Sequence, residues 1–458
     1  MTQEQTWQEP GQERQAPGPH TGRFYAHPRV YMDDRLNYLN NLREKYGDVV
    51  HFKMGLWNIY LVNHPDNVRQ VMVTDAAKTS KSRVIKVGRI LLGDGLLSSE
   101  GELHKRQRRL MAPAFHRKRI EGYCKVMAAH SDALRQRWRH GQTVDMHAEM
   151  MELTLGIIGE TMFGANVANA AREVNDCLEN IFAMLNRLTG PAEAIKCILP
   201  LPSNFRFLRS IRRLNKIVYG MIAERHARPG SGDDVLSMLL DARDEEGDGK
   251  GMSDKQVRDE VLILFLAGHE TTANALTWTW YLLTRQPEEE ARLHAEIDAV
   301  LGDRPPTLDD LPKLPYTRMV LEESMRLFPP VYAIDRLVQE PMEVGGYPIP
   351  KGSTIFVSPW CMHHDSRFYP DPDRFDPGRW TPEAKAERPR HAYFPFGAGP
   401  RVCIGEQFAW AEATIILATL AQRWRARLVP GTVVEPFPLV TVRPKDGLPV
   451  TLEARNSP

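Results

Sequence analysis

The chain has 458 residues, with 59 lysines and arginines against 58 aspartates and glutamates and a formal net charge of +1. That balance gives no bulk attraction for nucleic acid, and the length is ample for a large buried core. Cys124, Cys177, Cys197, Cys361 and Cys403 are scattered without pairing or C-x-x-C spacing, which argues against a disulfide framework and for a reducing, cytoplasmic compartment.

Residues 1–22 are rich in Gln, Pro and Gly and lack the apolar run of a signal peptide or membrane anchor. They read as a disordered leader, with residues 23–458 forming one domain. Residues 33–46 carry Leu36, Leu39, Leu42 and Tyr46 at helical spacing, closed by Gly47. Residues 49–54 and 57–62 read as a hairpin, and Pro65 opens a helix to residue 73. Residues 81–99 contain Gly88, Gly93 and Gly95 and read as a loop. Its Ile90, Leu91 and Leu92 suggest the lining of a cavity, because buried loop backbone is costly.

Residues 104–119 are the most basic stretch, either a solvated helix face or a binding surface. Helical patterns follow over 123–138, 146–163, 175–188 and 207–226. Residues 192–205, apolar and proline-bearing, are either a core-covering loop or a mobile lid touched by a greasy substrate. Residues 241–251 are acidic and glycine-rich but lack the ligand order of a calcium loop, so they read as surface.

Ser253 and Gln256 form a capping box that starts a helix running to about residue 283. Its most apolar part is too short to span a bilayer. The centre reads Phe265-Leu266-Ala267-Gly268-His269-Glu270-Thr271-Thr272. An acid–threonine pair is odd there for packing alone. Gly268 would let a planar ligand lie against the helix, and Thr271 can bond the carbonyl of Ala267, which tends to open a helix where a water fits. The plain alternative is a capping-type threonine and a surface glutamate.

Residues 287–302 form the next helix, and 314–327 another, with Glu323 and Arg326 on one face. Exposed, such a pair would contribute only ~0.3 kcal/mol. Residues 331–338 are strand-like. His363 and His364 are adjacent, so they point apart and read as structural rather than as a metal pair.

Residues 396–405, Phe-Gly-Ala-Gly-Pro-Arg-Val-Cys-Ile-Gly, present Cys403 from irregular backbone just before a helical run. A helix amino terminus favours a thiolate. Gly397, Gly399 and Gly405 allow backbone to pass close to a flat ligand and to aim amides at sulfur. A buried structural cysteine is the other reading. Residues 436–450 resemble a closing hairpin that carries Phe437.

The pattern F-x-x-G-x-R-x-C-x-G from Phe396 to Gly405 resembles the haem-binding loop of the cytochrome P-450 family, soluble bacterial type. A-G-x-[DE]-T-T at 267–272 and E-x-x-R at 323–326 follow the family's order, and the likeness spans roughly residues 36–452. It implies a mostly α fold: a triangular helical haem domain with a minor β-sheet lobe. Cys403 is then the axial thiolate of haem b (iron protoporphyrin IX). His104, Arg108, Arg336 and Arg401 are the implied propionate partners, with Ala267, Gly268, Phe396 and Gly405 also against the haem. Many members have Trp where this chain has His104. Glu270 and Thr271 would manage proton delivery. Glu323, Arg326 and Arg379 would form a structural ion network, although Pro377-Gly378-Arg379-Trp380 departs from the family's P-E-R-F. Residues 192–205 fall where the family has its substrate-access flap.

The implied activity is insertion of one oxygen atom from O2 into a lipophilic small molecule. Ile90, Leu91, Phe265, Ala333, Ile334 and Phe437 are the pocket candidates. They are apolar and include no arginine to pin a carboxylate, which tilts the expectation from a fatty acyl chain to a terpenoid-like molecule. No unit for FAD, FMN or NADPH and no four-cysteine iron–sulfur pattern is visible. Electrons are therefore expected from a ferredoxin or flavodoxin and its reductase, docked on Arg106, Arg109, Lys118 and Arg119. Two alternatives stand beside this: a peroxide-driven or isomerising haem-thiolate enzyme, and a non-catalytic haem binder. The Glu270–Thr271 pair counts against the first, and the lack of a visible output domain against the second.

Overall fold

A computed structural model describes residues 15–19, 26–164, 177, 202–228 and 234–455. The helix Asp254–Thr284 is its axis, begun by the reciprocal Ser253–Gln256 capping box. At 31 residues it is about 46 Å long. Most of its faces are buried, which is why the segment is apolar nearly all round rather than striped. The helices Met146–Phe163, Pro202–Ala227, Pro315–Leu327 and Glu406–Ala421 pack against it. Among the described residues no helix is long and apolar enough to cross a membrane.

The β lobe is a five-stranded sheet in the spatial order Val49–Met54, Trp57–Val62, Thr354–Val357, Ile334–Val338, Thr79–Lys81. The first two strands are the expected hairpin. Trp57–Val62 pairs in parallel with Thr354–Val357, so the helical body is inserted as one very long crossover between neighbouring strands. A three-stranded sheet of Thr143–Asp145, Pro449–Ala454 and Trp424–Leu428 ties the carboxyl end to the helices. A closing hairpin pairs Pro436–Pro438 with Val442–Pro444.

Residues 81–99 correct the loop expectation. Arg83–Leu92 is a helix whose N-cap, Ser82, accepts a bond from Ile85 N at 3.2 Å, and it ends at Gly93 with φ 70°. Gly88 sits buried inside it, so that glycine does not mark a loop. The following backbone is pinned to the long helix: Asp94 N donates to Asp259 Oδ2 and Leu96 N to Glu260 Oε2, each at 2.9 Å. The helix opened by Pro65 runs only to Arg69 and continues as a π-turn, Gln70–Thr74.

The helix read over 175–188 lies outside the described residues apart from Cys177, and so does the lid segment 192–205 until it enters Pro202–Ala227. Within the leader, residues 15–19 run beside the first strand, where His51 N donates to Pro17 O at 2.8 Å. His363 is buried and its Nε2 accepts from Phe394 N at 3.2 Å, while His364 Nδ1 bonds Trp360 O at 2.9 Å, so each ring has a structural partner.

Candidate active site

Residues 396–405 are held from behind. Gly399 has φ 68°, and a Cβ there would stand 2.0 Å from Met72 O in the π-turn, so only glycine permits this approach. Its role is to seat the loop on that turn, not to admit a flat ligand. Cys403 N donates to Phe396 O at 3.0 Å, and the helix Glu406–Ala421 starts directly after Gly405. Cys124, Cys177 and Cys361 are buried, whereas Cys403 is exposed. Burial nevertheless pushes its thiol up, against the Gly405 N–H and the more distant Arg108. Accessible surface combined with desolvation puts Sγ in a recess rather than on the outer face. A thiol raised this way is a poor free nucleophile, but a bound metal ion deprotonates it outright.

The long helix carries an open stripe of its own. Ala267 is exposed and Gly268 and Thr271 are half-exposed, although residues 261–266, 269 and 270 are buried. Thr271 Oγ1 donates to Ala267 O at 2.7 Å, as its position predicts. Neighbouring carbonyls are similarly engaged: His269 Nδ1 bonds Phe265 O at 2.7 Å and Thr154 Oγ1 bonds His269 O at 3.0 Å. The helix remains α throughout, so the expected opening is not a break in the backbone. Gly268 has a further role that the sequence did not suggest. A Cβ there would stand 2.5 Å from Ile158 Cδ1, so its missing side chain serves close packing with Met146–Phe163. Glu270 is buried, its Oε1 accepting from Thr441 Oγ1 at 2.6 Å. Burial raises its pKa, opposed by that bond and by Arg443.

Basic groups converge beside the thiol loop. Arg108 Nη1 donates to Val402 O at 2.8 Å, Arg401 Nη1 to Ser99 O at 2.8 Å, and Arg336 Nη1 to Asp335 O at 3.1 Å. Arg401 is also ion-paired with Glu100. His104 is buried, and its pKa falls to about 4 through burial and then through Arg401, Lys81, Arg108 and Arg336. Lys81 falls to about 7 through burial, Arg336 and Arg401, against Glu100 and Asp335. Five basic side chains thus crowd around two acids, an arrangement that gains energy when further carboxylates join it. That fits the two propionates of a haem, as the recessed thiol fits its iron. Lys81 and Glu100 were missed in the sequence. The signal for Lys81 lies in strand register, which sets it opposite Arg336.

Glu323, Arg326 and Arg379 come together. Arg326 bonds both Glu323 oxygens at 2.8 Å, and Arg379 Nε lies 3.4 Å from Oε1. Trp380, the departure from the family pattern, donates its indole N–H to Glu323 Oε2 at 2.9 Å. Arg326 further donates to the carbonyls of His363, Pro372 and Arg374 at 2.8, 2.7 and 3.0 Å.

The pocket candidates scatter. Phe265 is fully buried and stacks on Phe163 with centroids 4.1 Å apart, so it is core and not lining. Ile334 is half-buried, its Cδ1 3.6 Å from where a Cβ on Gly397 would stand, and Ala333 is half-buried beside it. Phe437 is exposed on the closing hairpin. Ile90 and Leu91 lie on Arg83–Leu92, with side chains outside the described ones. Arg106 and Arg109 do not form a free docking patch. Arg109 binds Asp244, and Arg106 Nη2 donates to the carbonyls of Lys250 and Gly251 at 2.9 Å each. The acidic segment 241–251 is the counter-charge of the basic helix. Phe396 packs on Trp410 at 5.3 Å, behind the thiol.

Comparison with known proteins adds the following. A family model described as Cytochrome P-450 matches residues 17–449. The chain is 40% identical over 390 residues to cyclooctat-9-en-7-ol 5-monooxygenase of Streptomyces melanosporofaciens, covering 85% of this chain and 84% of that protein. It is 36% identical over 431 residues to pentalenene oxygenase of Streptomyces avermitilis, covering 94% and 95%. Among solved structures, retinoic acid-bound cyanobacterial CYP120A1 superposes with a TM-score of 0.88 at 25% identity, covering 97% of this chain and all of that one.

Proposed function

The chain belongs to the cytochrome P-450 family and is a monooxygenase; from that premise we propose that it oxygenates a terpenoid with a haem ligated by Cys403. The observation that carries the site is the pairing of one exposed, recessed cysteine with an open stripe on an otherwise buried helix, flanked by surplus basic groups. Bound there, the haem supplies binding and activation of O2 and takes up electrons.

This chain's residues do the rest. Cys403 Sγ would hold the iron, and His104, Arg108, Arg336, Arg401 and Lys81 would hold the propionates. Ala267, Gly268 and Thr271 would face the porphyrin, and Thr271 Oγ1 keeps one proton at a defined place by its bond to Ala267 O. Glu270 exchanges protons through its second oxygen, Oε2, which has no hydrogen-bond partner among the described residues. The Glu323–Arg326–Arg379 array fixes the backbone behind the thiol loop.

Two relatives carry the names of terpenoid oxygenases, and the half-buried Ile334 and the exposed Phe437 suit an apolar substrate. A ferredoxin or flavodoxin with its reductase supplies electrons. Its docking face is the start of Arg117–Arg137, where Lys118 and Lys125 are exposed. That helix packs on the helix that follows the thiol loop, with the rings of Tyr123 and Phe408 5.7 Å apart between centroids.

The test is a difference spectrum of the reduced, carbon monoxide-bound protein, followed by turnover of a terpene panel under isotopically labelled O2. A thiolate-type spectrum and label in a hydroxylated terpene are expected. A thiolate-type spectrum without label, or with fatty acids alone turned over, overturns the substrate assignment. Loss of the spectrum in Cys361→Ser but not Cys403→Ser overturns the ligand assignment.

A further inference from the structure

Glu270 is the end of a hydrogen-bond chain drawn from three parts of the molecule. Thr441, in the turn of the closing hairpin, donates Oγ1–H to Glu270 Oε1 at 2.6 Å. Asn274, one turn further along the long helix, donates Nδ2–H to Thr441 Oγ1 at 3.1 Å. His147, in the first turn of Met146–Phe163, meets Asn274 Oδ1 through Nε2 at 3.1 Å. Glu270, Asn274 and Thr441 are buried and His147 is half-buried.

An ionised carboxylate only accepts hydrogen bonds, so Thr441 must spend its single proton on Glu270. Thr441 Oγ1 can then accept from the Asn274 amide, which leaves Asn274 Oδ1 facing His147 and requires the proton of His147 on Nε2. Every donor in the chain therefore points toward Glu270. Because an amide does not pass protons on, this is no proton wire to solvent. It is a brace. It fixes Oε1 and the rotamer of the acid, while Oε2 has no hydrogen-bond partner among the described residues.

We propose that Thr441, Asn274 and His147 are positioning residues that hold one oxygen of Glu270 and leave the other for proton exchange. The proposal rests on the reading of Glu270 as a participant in proton delivery. If Glu270 is protonated on Oε1, Thr441 must turn its own proton elsewhere, so the chain favours the ionised acid. Besides these residues, the charged groups bearing on the chain are Arg443 of the closing hairpin, which acts on both Glu270 and His147, and Asp145 beside His147.

The test follows the infrared carbonyl band of protonated Glu270 in the haem-loaded protein, assigned by its loss in Glu270→Gln, against pH. In Thr441→Val the band is expected to persist to higher pH by about one unit, the effect of losing one bond to a charged group. Product formed per NADH should fall in parallel. His147→Leu should shift the band in the same direction by less, and His147→Gln, which keeps an N–H donor, should restore it. A Thr441→Val band that titrates as in the wild type overturns the brace. Should Thr441→Val fail to fold, the His147 pair decides: equal titration of Leu and Gln variants overturns it. If Glu270→Gln keeps wild-type product per NADH, the role of Glu270 itself is wrong, a result independent of where the band titrates.

Discussion

Arg109 grips Asp244 with two hydrogen bonds, Nε to Oδ1 at 3.1 Å and Nη2 to Oδ2 at 3.0 Å. Asp244 is almost wholly buried, so the pair fastens the segment 241–251 onto the helix Gly101–Met111. Arg109→Glu is expected to lower stability, because it sets a like charge against the buried Asp244 and leaves that carboxylate only Arg106, 3.5 Å away. It should leave the rate of the first electron transfer unchanged. Lys118→Glu with Lys125→Glu should instead slow that transfer several-fold at low ionic strength and converge on wild type as salt rises. Chemical denaturation and stopped-flow reduction across a salt series check both; a slow Arg109→Glu that is fully stable would return the docking face to Arg106 and Arg109.

Thr271→Ala is expected to retain the thiolate spectrum and substrate affinity while diverting reducing equivalents from product to peroxide. The hydroxyl bonded to Ala267 O is what fixes a proton at that place. Peroxide yield per NADH is the measurement, and an unchanged yield would remove Thr271 from proton delivery.

Gly268 and Ile158 should behave as a coupled pair. Alanine at Gly268 gains about 1 kcal/mol of helix propensity but meets Ile158 Cδ1 at 2.5 Å in close-packed surroundings. Ile158→Val removes that methyl group. A double-mutant cycle on thermal unfolding should therefore show favourable coupling of about 1 kcal/mol between Gly268→Ala and Ile158→Val. Additive effects would mean that the glycine is there for something other than this contact.

Arg326→Lys should be costly although the charge is kept. Lysine cannot bond both oxygens of Glu323 and reach the carbonyls of His363, Pro372 and Arg374 as well. A loss of about 3–5 kcal/mol is expected, with haem retained less firmly on heating. Melting followed by haem absorbance checks it, and a variant that melts like the wild type refutes the structural assignment.

Glu412 carries a pH-dependent liability. It is fully buried on Glu406–Ala421, and burial raises its pKa to about 8 against the opposing effect of the Thr272 hydroxyl. A raised carboxyl pKa contributes stability that is fully present below the unfolded value and is lost as pH rises through about 8. The wild type should melt at a lower temperature at pH ~9 than at pH ~6, and Glu412→Gln should flatten that slope. Glu260, raised likewise to about 8, accounts for a residual slope.

What the sequence made legible is what local chemistry decides. The first hairpin, the capping box at Ser253 and the Thr271-to-Ala267 bond needed only neighbours within a few residues. Glu323 and Arg326 were also readable, because helical spacing joins them. Misreadings arose where a partner comes from far along the chain. Gly268 answers to Ile158 and Gly399 to Met72. Arg109 answers to Asp244, and Lys81 to a strand register. Thr441 is 171 residues from Glu270, and nothing in a lone threonine announces such a bond. Residues 81–99 failed for a different reason: their glycines were read as loop residues, whereas Gly88 lies buried within a helix.

Glu323 and Arg326 also bear on the order in which the molecule can be assembled. In a growing chain they leave the ribosome before residues 363–380 exist. Lying three apart on one helix, they can neutralise each other at once. The carbonyls of His363, Pro372 and Arg374 and the indole of Trp380 then arrive at charges already matched, so neither has to enter a dry interior alone. Cys403 is synthesised later still, so the charged pair that anchors this region precedes the sulfur along the chain.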